Sequence, residues 1–425
     1  MTVRVLDLAG VGAGPFNLSL AALASGTGLA TALFEREPEF HWHPGMMIEG
    51  ATLQVPFLAD LVSLVEPAHP LSFLSYLRDR DRLFPFYFAE KFHIPRAEYD
   101  DYCRWAAHRL PCNFSRNVRT VRWSDRDELF ELDVDGERVL ARAVVLGVGT
   151  GAHVPEPLRG MDRVTHSARY LESRDRLVAA DDVTVIGSGQ SGAEVFLDLL
   201  RRRAGGVRWL TRTRAFAPME YSKLGLEQFT PDYTRYFRGL PTAVRDALVP
   251  SQWQLYKAID ADTIAEIHEE LYRRTVGGGW PSAVLAPGVE VTAATAVDDG
   301  LELALRHVDQ GGDFTLRTSE VVCATGYAER DLGELLGDLP APDASGRLVI
   351  DADFRVALRT GITGSLYAQN AERHTHGVGA PDLGLAAWRA ATILNAVCGR
   401  VVHRLPDRTA FTTFGLGGET EGSGL

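Results

Sequence analysis

The sequence predicts an α/β protein made of two strand–turn–helix units, one interrupted by the other. Three observations predict it. "DLAGVGAGPFNLSLAALA", from Asp7 to Ala24, sets an apolar strand, a glycine turn and a helix in series. "VTVIGSGQSGAEVFLDLL", from Val183 to Leu200, repeats the plan. Two further strands, in "AVVLGVGTG" and "VVCATGY", end in small residues that let a chain pass close to a bound molecule.

The first strand is expected over Val3 to Leu8, with the helix over Asn17 to Ala24. Gly10, Gly12 and Gly14 crowd the turn between them. Such a turn lets backbone approach a pyrophosphate, and the free N–H groups of the helix start face its charge. The usual spacing would put a third glycine at position 15. Pro15 stands there instead, a residue that suits a first helical position. The next strand, Thr31 to Phe34, ends in Glu35, an acid placed to accept from ribose hydroxyls. An ordinary tight turn is the competing reading, and Glu35 weighs against it. An N-terminal turn followed by an acid suits FAD.

The second unit has the full spacing, Gly187, Gly189 and Gly192, with Gln190 and Ser191 opening its helix. Its next strand, Val207 to Leu210, ends in "TRTR" rather than in an acid. Arg212 and Arg214 suit a 2′-phosphate, which points to NADPH; a solvated basic strand end is the alternative. The fold expected is therefore two Rossmann-like dinucleotide-binding domains, the NADPH domain inserted in the FAD domain, plus a smaller substrate-binding region. Residues 1–163 form the first part of the FAD domain and 164–320 the NADPH domain. Residues 321–410 return to the FAD domain with substrate-pocket segments, and 411–425 form a tail expected to be disordered.

A chain of 425 residues with 45% apolar and 24% charged residues has the balance of a globular enzyme. Its net charge of −12 argues against nucleic acid and anionic membranes. Cys103, Cys112, Cys323 and Cys398 form no C-x-x-C pair, and no metal site is expected. The first strand begins almost at once and no apolar run nears the roughly 20 residues of a spanning helix, so a cytoplasmic location is expected. Between Pro38 and Trp105 aromatic residues are dense. They suit either an apolar wall around a flat ring or a domain-interface core, with Trp42, Phe57, Phe84, Phe86 and Tyr87 open to both readings.

The chain resembles the microbial N-hydroxylating flavin monooxygenases, which act on lysine, ornithine or aliphatic diamines in siderophore assembly. The resemblance rests on "GVGAGPFNLSLAAL", "FHWHPGMM", "LQVPFLADLVSLVEPAHPLSFLSYL", "RAEYDDYCRWAA", "VIGSGQSGAEVFLDLL", "ATGY" and "QNAERHTHGVGAPDLGL", in that order over nearly the whole chain. It implies FAD reduced by NADPH, reaction with O2, and hydroxylation of a neutral primary amine through a C4a-hydroperoxyflavin. It also implies that Trp42, His43, Met46 and Gln54 line the flavin ring and that Arg96 stands at the active-site entrance near the nicotinamide. Gln54 would hold the ring. Asn17 in the first turn, Ala324, Thr325, Gly326 and Tyr327 of "ATGY", and His376 of "HTHG" would contact cofactor. His374 and His376 would lie beside the flavin as structural or cofactor-contacting residues rather than bases. Asp382 and Leu383 would cap the amine pocket, and the assembly would be a homotetramer.

The amine itself is read from departures. Ornithine-specific members carry a lysine, holding the substrate α-carboxylate, where this chain has Ala59, and an asparagine near the position of Leu255. A carboxylate buried without partners costs several kcal/mol. A diamine such as cadaverine or putrescine is therefore the favoured substrate. Lysine, clamped differently by Lys257 or Arg235, is the alternative, and ornithine comes last. A flavin disulfide reductase would need the missing C-x-x-C. A Baeyer–Villiger or sulfur-oxidising monooxygenase would lack "FHWHPGMM" and "RAEYDDYCRW". A non-catalytic NADPH-binding protein is the remaining alternative, which a flavin spectrum would remove.

Overall fold

The computed structural model describes residues 5–203 and 205–416. β1 (Val5–Val11) is paired on both sides from Leu8 to Val11, and its adjacent residues Leu8 and Ala9 fall in different cores on opposite faces of the sheet. α1 (Pro15–Ala24) follows directly, with Asn17 to Ala24 all buried. β2 (Thr31–Phe34) runs parallel beside β1. α2 (Phe73–Asp79), α3 (Leu83–Ala89) and α4 (Arg96–Ala107) then lead to β3 (Cys112–Asn113). β4 (Val118–Ser124), β5 (Leu129–Val134) and β6 (Glu137–Leu146) form an antiparallel meander, and β6 returns parallel to β1. The chain leaves this sheet through β7 (Thr150–Ala152).

The second unit is a parallel sheet. It contains β8 (Val164–His166), then after α5 (Tyr170–Ala179) β9 (Val183–Ile186), and after α6 (Gln190–Arg202) β10 (Val207–Thr211) and β11 (Ala283–Pro287). β12 (Val289–Val297), β13 (Gly300–His307) and β14 (Asp313–Thr318) form a separate antiparallel sheet. β15 (Glu320–Cys323) completes the parallel sheet, in the order β11-β10-β9-β15-β8. β16 (Tyr327–Glu329) pairs antiparallel with β7, and β17 (Ser365–Ala368) rejoins the first sheet beside the C-terminal half of β6. A closing helix, Ala386–Cys398, packs on α1.

The second sheet shifts one expected boundary. "VVC" at 321–323 was expected to open the return to the FAD domain, but it lies between β9 and β8. The physical reason is its full burial on both faces, which only a central parallel strand provides. The return begins after Cys323, where β16 and β7 form a two-stranded ribbon between the sheets. Of the expected tail, residues 411–416 are described. The Phe411 and Thr412 N–H groups donate to the Glu227 carboxylate at 2.9 and 2.8 Å, and the Phe414 ring packs on Tyr233 at 5.0 Å. Residues 417–425, like the expected strand start at Val3, lie outside the described residues.

The aromatic-rich stretch divides in two. Phe73, Tyr76, Tyr99 and Tyr102 are buried in one core with α1 and the closing helix. Phe84 and Tyr87, on α3, are 78% and 71% exposed and belong to neither a ring wall nor a core.

Candidate active site

At the first turn, Gly12 has φ +89°, and a Cβ there would lie 2.5 Å from the Gly147 carbonyl oxygen. Only glycine fits. Gly14 caps α1 with nothing within 4 Å of where its Cβ would be, and Pro15 takes the first helical position. Open space at a helix start is what an incoming phosphate requires. A Cβ at Gly10 would run into Leu33 at 2.4 Å, so this glycine serves strand packing. Glu35 is half-buried and accepts from the Ala13 and Glu37 N–H groups at 2.9 and 3.1 Å, which ties the strand end to the turn.

Asn17 differs from expectation. It is fully buried and offers no surface to a cofactor. Its side-chain amide donates to the Gly12 and Val11 carbonyls at 2.8 and 3.2 Å and accepts from Gln369 at 2.8 Å, so it shapes the turn from beneath. Arg389 supports the same turn. It is buried, stacks on Phe16 at 4.7 Å and forms an ion pair with buried Glu372 at 3.2 Å.

At the second turn, Gly187 has φ +135°, and a Cβ would lie 2.1 Å from the Ala324 carbonyl oxygen. Ala324 is buried and thus packs this turn rather than reaching the first one. Gly189 caps α6, and Gly192 admits the Gly187 carbonyl, which accepts from the Trp209 indole at 2.6 Å. Gln190 is committed to Glu194, Thr263 and the Asp260 N–H, so with Ser191 it builds the helix start.

Arg212 is exposed at the end of β10. Arg214 is also exposed but donates to Asp309 at 2.7 Å. Two further cations stand nearby, Lys257, which the sequence reading offered only as a clamp for a substrate carboxylate, and Arg373, which it did not single out. Lys257 and Arg373 both sit over the Tyr256 ring at 5.2 Å. Burial, then Arg373 and Arg212, push the Lys257 ammonium pKa down. Three cations crowded this way, with the Lys257 carbonyl 3.1 Å from the Gly189 Cβ position, fit a phosphate-bearing cofactor at this turn. Their spread over three distant segments left no local signal.

The segment around residue 43 joins the two units. His43 has φ +51°, and Gly45 follows, where a Cβ would lie 1.9 Å from the Ala168 carbonyl oxygen. Met46 does not line a ring groove. It is 3% exposed, packed with Val185, Ala193 and Phe196, because the close approach at Gly45 drives it into the second unit's core. Trp42 is half-buried, edge-on to Tyr99 at 5.0 Å, with its backbone N–H held by Asp100 at 2.6 Å. His43 exposes part of its ring near Tyr327, at 5.8 Å, while protein crowds its other sides. Desolvation, then Arg96, hold its imidazole pKa down at about 4, so it is neutral near pH 7.

Arg96 is brought here but is not free. It makes a two-pronged pair with Glu194 of α6 at 2.7 and 2.8 Å, both side chains largely buried. It therefore pins the first unit to the second. Thr325 and Gly326 hold the connecting ribbon, the Thr325 hydroxyl donating to the His153 carbonyl and the Gly326 carbonyl accepting from the His153 N–H at 3.0 Å.

Gln54 is half-buried, and its amide nitrogen is buried without a partner among the described residues. An orphaned donor of this kind fits a ring carbonyl or nitrogen, as FAD would supply. Its backbone carbonyl accepts from the Tyr221 hydroxyl at 3.2 Å. Tyr221, also missed in the sequence, has its phenol pKa raised by burial and then by Asp260 and Asp382. This places Gln54, Tyr221 and Asp382 in one neighbourhood.

Asp382 caps a short turn, accepting from the Gly384 N–H at 2.7 Å. Burial pushes its carboxyl pKa up to about 6, against the pull of that N–H and of Arg389. Leu383 packs on the core beneath α1, and Ala59 is 5% exposed on the segment running from Gln54. Leu255 is buried among Tyr233, Phe237 and Val378. Arg235 is bound to Asp232 and the Asp407 carbonyl. His376 is also displaced from its expected place. It is 2% exposed, stacked on Phe354 at 4.5 Å, because α-helical capping by "RHTH" turns it inward. Burial, then Arg238, lower its pKa to about 2. The His374 Nε2–H donates to the Leu348 carbonyl at 2.8 Å. Among the described residues no cluster of His, Cys, Asp or Glu could hold a metal, and no helix is long and apolar enough to cross a membrane.

Comparison with known proteins agrees with this geometry. Residues 4–329 match the family model of L-lysine 6-monooxygenase/L-ornithine 5-monooxygenase. The rhizobactin siderophore biosynthesis protein RhbE of Rhizobium meliloti is 41% identical, covering 96% of this chain and 95% of its own. A putrescine N-hydroxylase of Shewanella oneidensis is 37% identical over 96% of this chain and 84% of its own. The FAD-bound crystal structure of DfoA, the cadaverine monooxygenase of the desferrioxamine pathway in Erwinia amylovora, superposes with a TM-score of 0.93, at 35% identity over 98% of this chain and 100% of that one. The two glycine turns, the orphaned Gln54 amide and this shared fold make the chain a member of the L-lysine 6-monooxygenase/L-ornithine 5-monooxygenase family, an NADPH-dependent flavin N-monooxygenase with FAD and NADPH as its cofactors.

Proposed function

We propose that this enzyme hydroxylates one terminal amine of an aliphatic diamine, of the cadaverine or putrescine class, for hydroxamate siderophore assembly in the cytoplasm. The balance is R-NH2 + O2 + NADPH + H+ giving R-NH-OH + NADP+ + H2O. FAD, when bound, supplies the oxygen-activating chemistry. The protein binds, orients and shields.

The observation that carries the diamine reading is the charge at the amine end. Ala59 and Leu255 are buried and apolar, so neither offers a donor to an α-carboxylate. Asp382 offers a half-buried carboxylate to a remote ammonium. The reacting amine must be neutral, although a free alkyl amine has a pKa near 10.4. With His43 neutral above about pH 4, no imidazolium there repels the substrate cation. The Gln54 amide nitrogen holds the reacting partners in register, and the Arg96–Glu194 pair fixes the two units around them.

Side-by-side N-hydroxylation of putrescine, cadaverine, lysine and ornithine tests the reading. The expected order is diamine, then lysine, then ornithine. Lysine is the second reading because the matching family model spans lysine hydroxylases. Better coupling of lysine than of either diamine would put it first.

A further inference from the structure

Arg389, on the closing helix, and Glu372, shortly after β17, are 1% and 0% exposed. Their Nη1 and Oε1 atoms lie 3.2 Å apart, but neither atom, nor the Arg389 Nε, has an aligned hydrogen-bond partner among the described residues. Two buried charges paired this loosely are a poor source of stability, because desolvating each ion costs more than an imperfect pair returns. The use of the pair lies in what the guanidinium touches.

It touches three segments. It stacks 4.7 Å from the centre of the Phe16 ring, at the start of α1 beside Pro15. Its Nη2 donates to the Gly379 and Ala380 carbonyls at 3.3 and 2.7 Å. Its Nη1 faces Glu372, whose other oxygen accepts from the Ala371 N–H at 2.7 Å. The Asp382 N–H donates to the same Gly379 carbonyl at 3.1 Å. One planar group thus reaches from the first glycine turn to the turn that Asp382 caps.

We propose that Arg389 is a positioning residue for amine binding, its buried fork hanging the 379–384 turn from the start of α1 so that Asp382 keeps a fixed place beside the flavin site. The proposal rests on the reading of Asp382 as the partner of the remote ammonium. A lysine ammonium would keep the charge but not the plane that stacks on a ring while it holds two carbonyls. Charge acts in the same sense. Arg389 and the Tyr221 phenol face Asp382, Glu372 and His376 face Arg389, and Glu329 acts on Glu372. Burial raises the Asp382 carboxyl to about 6, and Arg389 pulls against that rise.

The test measures KM and kcat/KM for cadaverine against pH in the FAD-loaded enzyme and two variants. Arg389→Lys keeps the charge and loses the fork. It should raise KM about five- to tenfold, with kcat changed far less and the acid limb still near 6. Arg389→Met with Glu372→Gln removes both charges, so no ion is left buried alone. Its acid limb should move to higher pH by about half a pH unit or more, because Asp382 loses its cation. An unchanged KM in Arg389→Lys, or an unmoved limb in the double variant, overturns the proposal. Hydrogen exchange without substrate gives a reading independent of what Asp382 binds. The Ala380 and Asp382 N–H groups should exchange about tenfold faster in Arg389→Lys while those of β1 keep their rates. Exchange that speeds equally everywhere, or nowhere, makes Arg389 ordinary core support and also overturns it. Selective exchange in an enzyme with no limb near 6 sinks the Asp382 reading and leaves Arg389 as the residue that positions the turn.

Discussion

Asp382→Asn removes one charge and little else. Asparagine is as good a cap as aspartate, so the acceptor for the Gly384 N–H, now at 2.7 Å, survives. An ammonium at about 4 Å from the carboxylate would gain about 4 kcal/mol at an effective dielectric near 20. Water reaching the half-buried group and the ordering of the substrate chain reduce this to about 1–2 kcal/mol, or about 5- to 30-fold in KM. The carboxyl pKa is raised to about 6 by burial. The folded protein therefore holds this proton more tightly than the unfolded chain, and stability attributable to the neutral form is lost as pH rises through about 6. A bound ammonium offsets that loss. Cadaverine should raise Tm more above pH 6 than below it, and kcat/KM for cadaverine should fall on the acid side of about 6. The variant should lose both effects while kcat stays nearly constant. Pentylamine, with no remote ammonium, should be indifferent to the change. Equal KM shifts for pentylamine and cadaverine, or an unchanged acid limb, would refute the pairing of Asp382 with the second amine.

Ala59→Lys should raise KM for diamines about tenfold or more by setting a cation near the substrate's own; comparison of KM for cadaverine and pentylamine checks it. Arg212→Ala with Arg214→Ala should raise KM for NADPH far more than for NADH, and Arg212→Ala alone should account for most of it, because Arg214 is already paired with Asp309. Arg96→Met leaves Glu194 charged and buried, and should cost about 3 kcal/mol in chemical denaturation; adding Glu194→Leu should recover part of that loss. Gln54→Ala should lower hydroxylamine formed per NADPH consumed while NADPH oxidation continues, as measured by hydroxylamine and peroxide yields together.

Both glycine turns were legible because their chemistry is local. Gly12 and Gly187 sit where a Cβ would strike a backbone oxygen, and that constraint writes itself into spacing. The places of Glu35 and Arg212, directly after the neighbouring strands, were legible for the same reason. The misplaced residues share the opposite property. Asn17, Met46 and His376 lie in the right motifs, but whether a side chain faces a cofactor or the core behind it depends on packing between elements far apart in sequence. Met46 turned inward because Gly45 meets Ala168, more than a hundred positions later. Arg373 and Tyr221 were invisible, and Lys257 was read only as a carboxylate clamp, because each owes its place to a different segment.

The Arg96–Glu194 pair shows why a residue expected at the nicotinamide can carry a different duty. Its two hydrogen bonds join α4 of the first unit to α6 of the second, next to Met46, whose carbonyl lies 3.4 Å from the same guanidinium. Glu194 is one turn beyond Gln190, which opens the helix at the second glycine turn. A shift of Arg96 is thus a shift of the second glycine turn relative to the segment bearing His43 and Gln54. If the two cofactors sit on the two units, hydride transfer between them would depend on that placement, and a misplacement of about 1 Å can cost on the order of 100-fold in rate. A buried, two-pronged ion pair between two otherwise separate sheets is a suitable spacer for that purpose, since Arg presents a planar fork that fixes angle as well as distance. Lysine at position 96 would keep the charge and lose the fork, so the chemistry of this pair lies in its geometry more than in its attraction.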